Sequence, residues 1–255
     1  MTRLVVRDEV CRAFPGLRII AIVTLGFDGR RPWPEVAAEL AALEVSAAAD
    51  PALAAQDDPH IAAWHAAYRA FGTNPRRQRP SADALRRRLS RSGKLPRINP
   101  AVDCYNLVSA RYGVPAGAFD LGRVRSDIAV GFADGSEEFT PLGEPGAVEH
   151  PHPGEVIYTD AAGVLTRHWN HRDADRTKVT EDSEQIVFLL ETVDAGEFGA
   201  RLDDARRSLV RLLAERSGSV LFHELTASEP AVMALVPEPG QESGAGVDVD
   251  LRSGT

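Results

Sequence analysis

The chain has 255 residues, 44% of them hydrophobic and 26% charged, with a formal net charge of −8. These fractions suit a folded domain of mixed class and exclude collagen-like, coiled-coil and wholly disordered compositions. The longest strongly apolar run, residues 19–27, falls far short of the roughly twenty residues that cross a bilayer.

Arg3, Arg7, Asp8, Glu9 and Arg12 break up any apolar core of a leader peptide, so no signal peptide is expected. Cys11 and Cys104 are the only cysteines, which points to a reducing, cytoplasmic compartment without a disulfide framework. Residues 18–25 (RIIAIVTL) are β-branched and continuous, as a buried strand should be. Pro32-Trp33-Pro34 opens an alanine-rich helix to about Val45. Asp58-Pro59 starts a second helix, with Ile61, Trp64, Tyr68 and Phe71 on one face and Gly72 as its stop.

A basic linker, Thr73 to Pro80, leads to a helix capped by Ser81, with Leu85 and Leu89 inside and Arg86, Arg87, Arg88 and Arg91 outside. The window 76–97 holds nine cations and one acid, Asp83, a local +8 that leaves the rest of the chain at −16. Such a run is either a solvated helix face or an electrostatic footprint for phosphates. Pro100 starts a further helix with Val102, Tyr105, Leu107, Val108 and Tyr112 as apolar positions and Gly113 as its stop. Asn99, held extended before proline, can cap this helix or present its amide to a ligand.

From Asp127 the pattern turns to β: residues 128–132, then 138–142 after an Asp134-Gly135 turn, then a hairpin of 155–159 and 164–169. Thr180 is read as the cap of a helix with Ile186, Leu189, Leu190 and Val193 on its face. A longer helix runs from about Glu197 to Arg216, ending at Gly218, and 220–225 is a last strand. The reading is α+β, a mixed β-sheet with helices packed on its faces. It places one compact domain over 1–236 and a disordered tail over 237–255.

No phosphate-binding loop, dinucleotide fingerprint or nucleophile elbow occurs. Cys104 lies among apolar helical neighbours, as a buried thiol or a nucleophile. The pairs His150/His152 and His168/His171 lack the third and fourth ligands and the cysteines that a structural zinc site has; surface histidines are the alternative.

Two polar clusters stand out. One is residues 98–106 (INPAVDCYN), followed by Gly113-Val114-Pro115 and Ala118-Phe119-Asp120-Leu121. The other is 167–180, whose pattern is R-x-W-N-x-R-x-x-x-R-T-K-x-T. Together they resemble the editing domain of the bacterial phenylalanyl-tRNA synthetase β subunit, its B-modules three and four, in a free-standing form, with a family-like core at about 73–193. That module hydrolyses tyrosine from mischarged tRNA. The resemblance therefore implies a trans-acting aminoacyl-tRNA deacylase, or a non-catalytic module of the same fold that binds tRNA or an amino acid. It further implies catalytic roles for Asp175, at the position of the family glutamate, and for Asn170 and Thr177. Asn99, Asn106 and Arg172 fall in the substrate pocket, with Gly117 where the family carries a histidine. The acceptor end of tRNA is the expected partner of Arg76, Arg77, Arg79, Arg86, Arg87, Arg91 and Lys94, no membrane is involved, and the resemblance implies no metal or organic cofactor.

Overall fold

The computed structural model describes residues 1–50 and 57–236; the tail expected at 237–255 lies outside the described residues. In chain order the elements are β1 (Leu4–Val6), α1 (Asp8–Ala13), β2 (Arg18–Leu25), α2 (Pro34–Ala49), α3 (Pro59–Ala70), α4 (Ser81–Ser92), α5 (Pro100–Tyr112) and β3 (Ala116–Asp120). There follow β4 (Ile128–Phe132), β5 (Val156–Asp160), β6 (Gly163–Arg167), β7 (Arg172–Asp173), β8 (Gln185–Thr192), α6 (Ala195–Ala214), β9 (Ser219–Thr226) and β10 (Ala231–Val232).

The strands form two sheets. One is antiparallel throughout, in the order β3-β8-β2-β9. The other is mixed, in the order β10-β1-β4-β5-β6-β7, with β1 and β4 parallel. The four-stranded sheet is buried on both faces. Ile20, Ile22, Phe188 and Leu190 pack against α2, α4, α5 and α6 through Leu40, Leu89, Leu107 and Leu209. Ile19, Ala21, Val23, Val187 and Leu189 pack against Val6, Ile128, Val130, Tyr158 and Leu165 of the six-stranded sheet, with Trp64 and Tyr68 of α3. A sheet covered on both faces requires continuous apolar strands, which is why β2 and β8 show no alternation. Among the described residues no helix is long and apolar enough to cross a membrane.

The α+β class read from the sequence stands, and several elements differ from expectation. Residues 185–192 are strand β8, not a helix. The positions 186, 189, 190 and 193 satisfy helical spacing only because nearly every position of a central strand is apolar. Thr180 accepts the N–H of Asp182 in a turn instead of capping a helix. Residues 138–142 make only isolated bridges, Phe139 with Glu149 and Pro141 with Ala174. Pro80, not Ser81, is the residue before α4, and α6 is capped by Glu215 ahead of Gly218. Asn99 does cap α5, accepting the Val102 N–H at 3.0 Å, and its amide donates to the Val179 carbonyl at 3.1 Å.

Candidate active site

A cavity of about 250 Å³ lies between the two sheets, α4 and α5. Helical periodicity supplies one wall: Ser81, Ala84 and Leu85 from α4, and Val102, Tyr105 and Asn106 from α5, each set spaced three and four apart. The four-stranded sheet supplies Gly117 and Phe119 from β3, and Leu189 and Glu191 from β8. Tyr158, Thr166 and Asp173 form a cross-strand row on β5, β6 and β7, and all three line the cavity. The β6–β7 turn completes it with Trp169, Asn170 and His171.

That turn is strained. His168 and Trp169 take successive left-handed conformations, φ 47° and 65°, at a cost of order 1–3 kcal/mol each. Burial offsets the cost: the Trp169 ring is fully covered, edge-on to Phe14 and Trp64. Its conformation aims two donors at one acceptor. Trp169 Nε1 donates to Glu191 Oε1 at 3.0 Å, and Asn170 Nδ2 donates to Glu191 Oε2 at 2.9 Å. The Tyr158 hydroxyl also donates to Glu191 Oε1. Asn170 is fixed in turn, because its Oδ1 accepts the Tyr68 hydroxyl at 2.8 Å.

Glu191 is 2% exposed, and burial pushes its pKa up to about 7 against the pull of its three donors. Asp173 accepts the Thr166 hydroxyl at 2.8 Å, and burial pushes its pKa up to about 6. Among the described residues neither carboxyl has a cationic partner, and no lysine or arginine lines the cavity. Elsewhere the chain pairs its buried carboxylates with arginine: Asp58 with Arg86 and Arg201, Asp83 with Arg79, Glu155 with Arg167. Asn106, 7% exposed, also lines the cavity, and its side chain makes no hydrogen bond among the described residues. The site thus offers two uncompensated carboxyls, a free amide and an apolar wall.

The structure brings together some of the residues expected from the sequence. Asn106, Gly117 and Asn170 line the cavity. A Cβ built on Gly117 meets nothing within 4 Å, so this strand position leaves the cavity open. Asn99 does not line it, because both its polar atoms are engaged by the cap and by Val179. Asp175 lies in the loop beyond β7, where it accepts the Gly143 N–H at 3.0 Å and the Lys178 ammonium at 2.8 Å. Those bonds hold its carboxyl below the usual range. Arg172 pairs with Glu144 and Glu149, and Arg176 with Asp160. Thr177 is buried away from the cavity, its hydroxyl without a partner.

The basic segment divides. Arg86 is not on the outside of α4: it is 6% exposed, pairs with Asp58 at 2.7 Å and donates to the Ala110 carbonyl at 3.1 Å. Gly113, at φ +63°, makes room for it, since a Cβ there would stand 2.7 Å from the guanidinium carbon. Arg79 is tied to Asp83 and Arg87 is partly exposed, whereas Arg76, Arg77, Arg91 and Lys94 are exposed. Cys104 is fully buried in the helical layer, and burial pushes its thiol pKa up, which suits a small core residue. His168 hydrogen-bonds Thr73 at 2.9 Å, and His171 hydrogen-bonds the Arg79 carbonyl at 2.8 Å. Among the described residues no three potential ligands group to hold a metal.

Sequence reasoning missed Glu191, the best-held side chain of the site. Its signal was a lone carboxylate at the end of the apolar run 186–190, since an acid inside a buried strand demands a reason.

The model of the B3/4 domain family matches residues 63–205, more than half of the chain, and the protein belongs to that family. The matched span includes every element that lines the cavity. Among solved structures, an N-terminal fragment of the phenylalanyl-tRNA synthetase β-subunit from Pyrococcus horikoshii aligns with 84% of this chain, at 16% identity and a TM-score of 0.44. The chain covers 48% of that fragment, about half its length. No curated protein matches the chain.

Proposed function

We propose that the protein is a free-standing editing hydrolase of the cytoplasm, which takes the aminoacyl end of a mischarged tRNA into this cavity and cleaves its ester bond. The observation that carries the reading is the missing cation. A buried carboxyl, Glu191, and a half-buried one, Asp173, with only neutral donors around them favour a ligand that brings its own positive charge. The α-ammonium group of an aminoacyl ester does so, and Glu191, fixed by Tyr158, Trp169 and Asn170, is the group to receive it. The unpartnered amide of Asn106 suits the ester carbonyl. Val102, Phe119 and Leu189 offer an apolar wall to the amino-acid side chain.

An aminoacyl ester is activated, so orientation of the carbonyl and of a water supplies much of the needed rate. The exposed cations Arg76, Arg77, Arg91 and Lys94 suit phosphates of the acceptor end, while the acidic remainder limits non-specific binding. Release of each labelled amino acid from a full set of aminoacyl-tRNAs tests the reading. Accelerated release from at least one supports hydrolysis. Tight binding that leaves every ester intact identifies instead a non-catalytic tRNA- or amino-acid-binding module.

A further inference from the structure

Holding an ammonium at Glu191 leaves the cavity's one imidazole unused. His171 lines the same cavity as Glu191 and Asp173. Its Nδ1 stands 2.8 Å from the backbone carbonyl of Arg79. A carbonyl can only accept, so Nδ1 must carry the proton and Nε2 must present a bare lone pair. No hydrogen bond among the described residues engages Nε2. An imidazole with its tautomer fixed from behind and its basic nitrogen free is the arrangement that proton abstraction requires.

We propose that His171 is the general base of the ester hydrolysis, a role that rests on the hydrolase reading above. Nε2 takes a proton from a water as the water oxygen bonds to the ester carbonyl carbon, giving a tetrahedral intermediate and an imidazolium. The carbon–oxygen bond to the ribose then breaks, and the imidazolium returns its proton to the departing ribose oxygen. The free amino acid and the tRNA hydroxyl leave, and neutral His171 is restored. The groups around the ring agree with this cycle. Burial lowers the His171 pKa, the hydrogen bond to the Arg79 carbonyl and Glu155 oppose it, Arg172 and Arg167 add to the lowering, and the net shift is downward, so the neutral base predominates at pH 7. Asp173 and Glu191 line the same cavity. His168 packs edge-on at 5.7 Å. Ser81, Thr166, Asn106 and Asn170, which also line the cavity, carry no charge.

Glu191 cannot do this work as well, because both of its oxygens already accept hydrogen bonds. Arg79 belongs to the basic linker, so that segment also orients the base.

The test is steady-state deacylation by His171→Ala, with the aminoacyl-tRNA that the native protein cleaves, with and without added imidazole. The expected result is a kcat lowered about a hundredfold or more, a KM within about threefold of native, and recovery that follows the concentration of neutral imidazole. His171→Gln, which keeps a donor for the Arg79 carbonyl, should show the same loss. Either variant with kcat within about threefold of native, a loss confined to KM, or a loss in the folded Ala variant that imidazole does not repair overturns the assignment. If His171→Ala does not fold, His171→Gln decides the matter by kcat alone. Absence of cleavage by the native protein overturns the hydrolase reading itself, a different result from native activity that survives loss of His171.

Discussion

Replacing Glu191 by Gln tests the cavity's electrostatics without any substrate. In the folded chain the carboxyl's pKa is about 7, against about 4.5 ordinarily. A raised carboxyl pKa means that the folded state holds the proton more tightly than the unfolded chain. Its cost to stability is absent below about pH 4.5, grows as pH rises through the interval, and is complete above pH 7. At 1.36 kcal/mol for each unit, the full cost is about 3 kcal/mol. Gln presents one acceptor and one donor, as the protonated carboxyl does, but it cannot ionise. Relative to native, the variant should therefore gain about 3 kcal/mol as pH rises from 4.5 to 8. The difference between the two curves is the needed quantity, because His60 and His168, pushed down to about 4 by burial, contribute with the opposite sign. Their neutral forms are favoured by folding, so their stabilisation is present above pH 6.5 and lost as pH falls towards 4. Denaturant unfolding of both proteins at intervals from pH 4.5 to 8.5 reads the difference. Parallel curves would refute the claim that a buried carboxyl without a cation stands in this cavity.

Asn106→Ala should leave unfolding free energy within about 1 kcal/mol of native, because its side chain holds no hydrogen bond to the protein. Deacylation by the same variant should fall tenfold or more, about 1.4 kcal/mol of transition-state stabilisation. Arg86→Ala should destabilise the fold by about 1–3 kcal/mol in thermal or chemical denaturation, since it removes one of the two guanidinium partners of Asp58 and leaves the Ala110 carbonyl without its donor. Joint replacement of Arg76, Arg77, Arg91 and Lys94 by Gln should barely move the melting temperature. The same variant should weaken tRNA binding and flatten its dependence on log salt by roughly 0.9 for each phosphate that is no longer neutralised. An unchanged salt slope would remove these cations from the interface.

Locally punctuated elements were legible in the sequence. The Asp58-Pro59 and Asn99-Pro100 starts of α3 and α5, the Gly72 and Gly113 stops and the β5–β6 hairpin all formed where their capping and turn chemistry put them. Strand β8 was not legible as a strand, because its apolar run fits either period and only its place between β2 and β3 decides. That error hid Glu191, which a helix would have placed beside solvent-facing neighbours. Arg86 was misplaced for a related reason. A cation on a helix reads as outward-facing until Asp58, distant in sequence, arrives beside it. The second polar cluster contains the short strand β7, which its residue pattern did not mark. Strand register put Asp173 beside Thr166 and left Asp175 to Lys178. The polar clusters did converge, through Asn106, Asn170 and Asp173. That convergence depended on the pairing of β5, β6 and β7, which no local pattern encodes.

The most direct test of the account is a crystal structure with a non-hydrolysable aminoacyl-adenosine analogue, its ester replaced by an amide. The account predicts the analogue in the cavity, its ammonium nitrogen within hydrogen-bond distance of the Glu191 carboxylate and its carbonyl beside Asn106. An analogue bound in the cavity with its ammonium turned away from both Glu191 and Asp173, or bound only elsewhere on the protein, would contradict it.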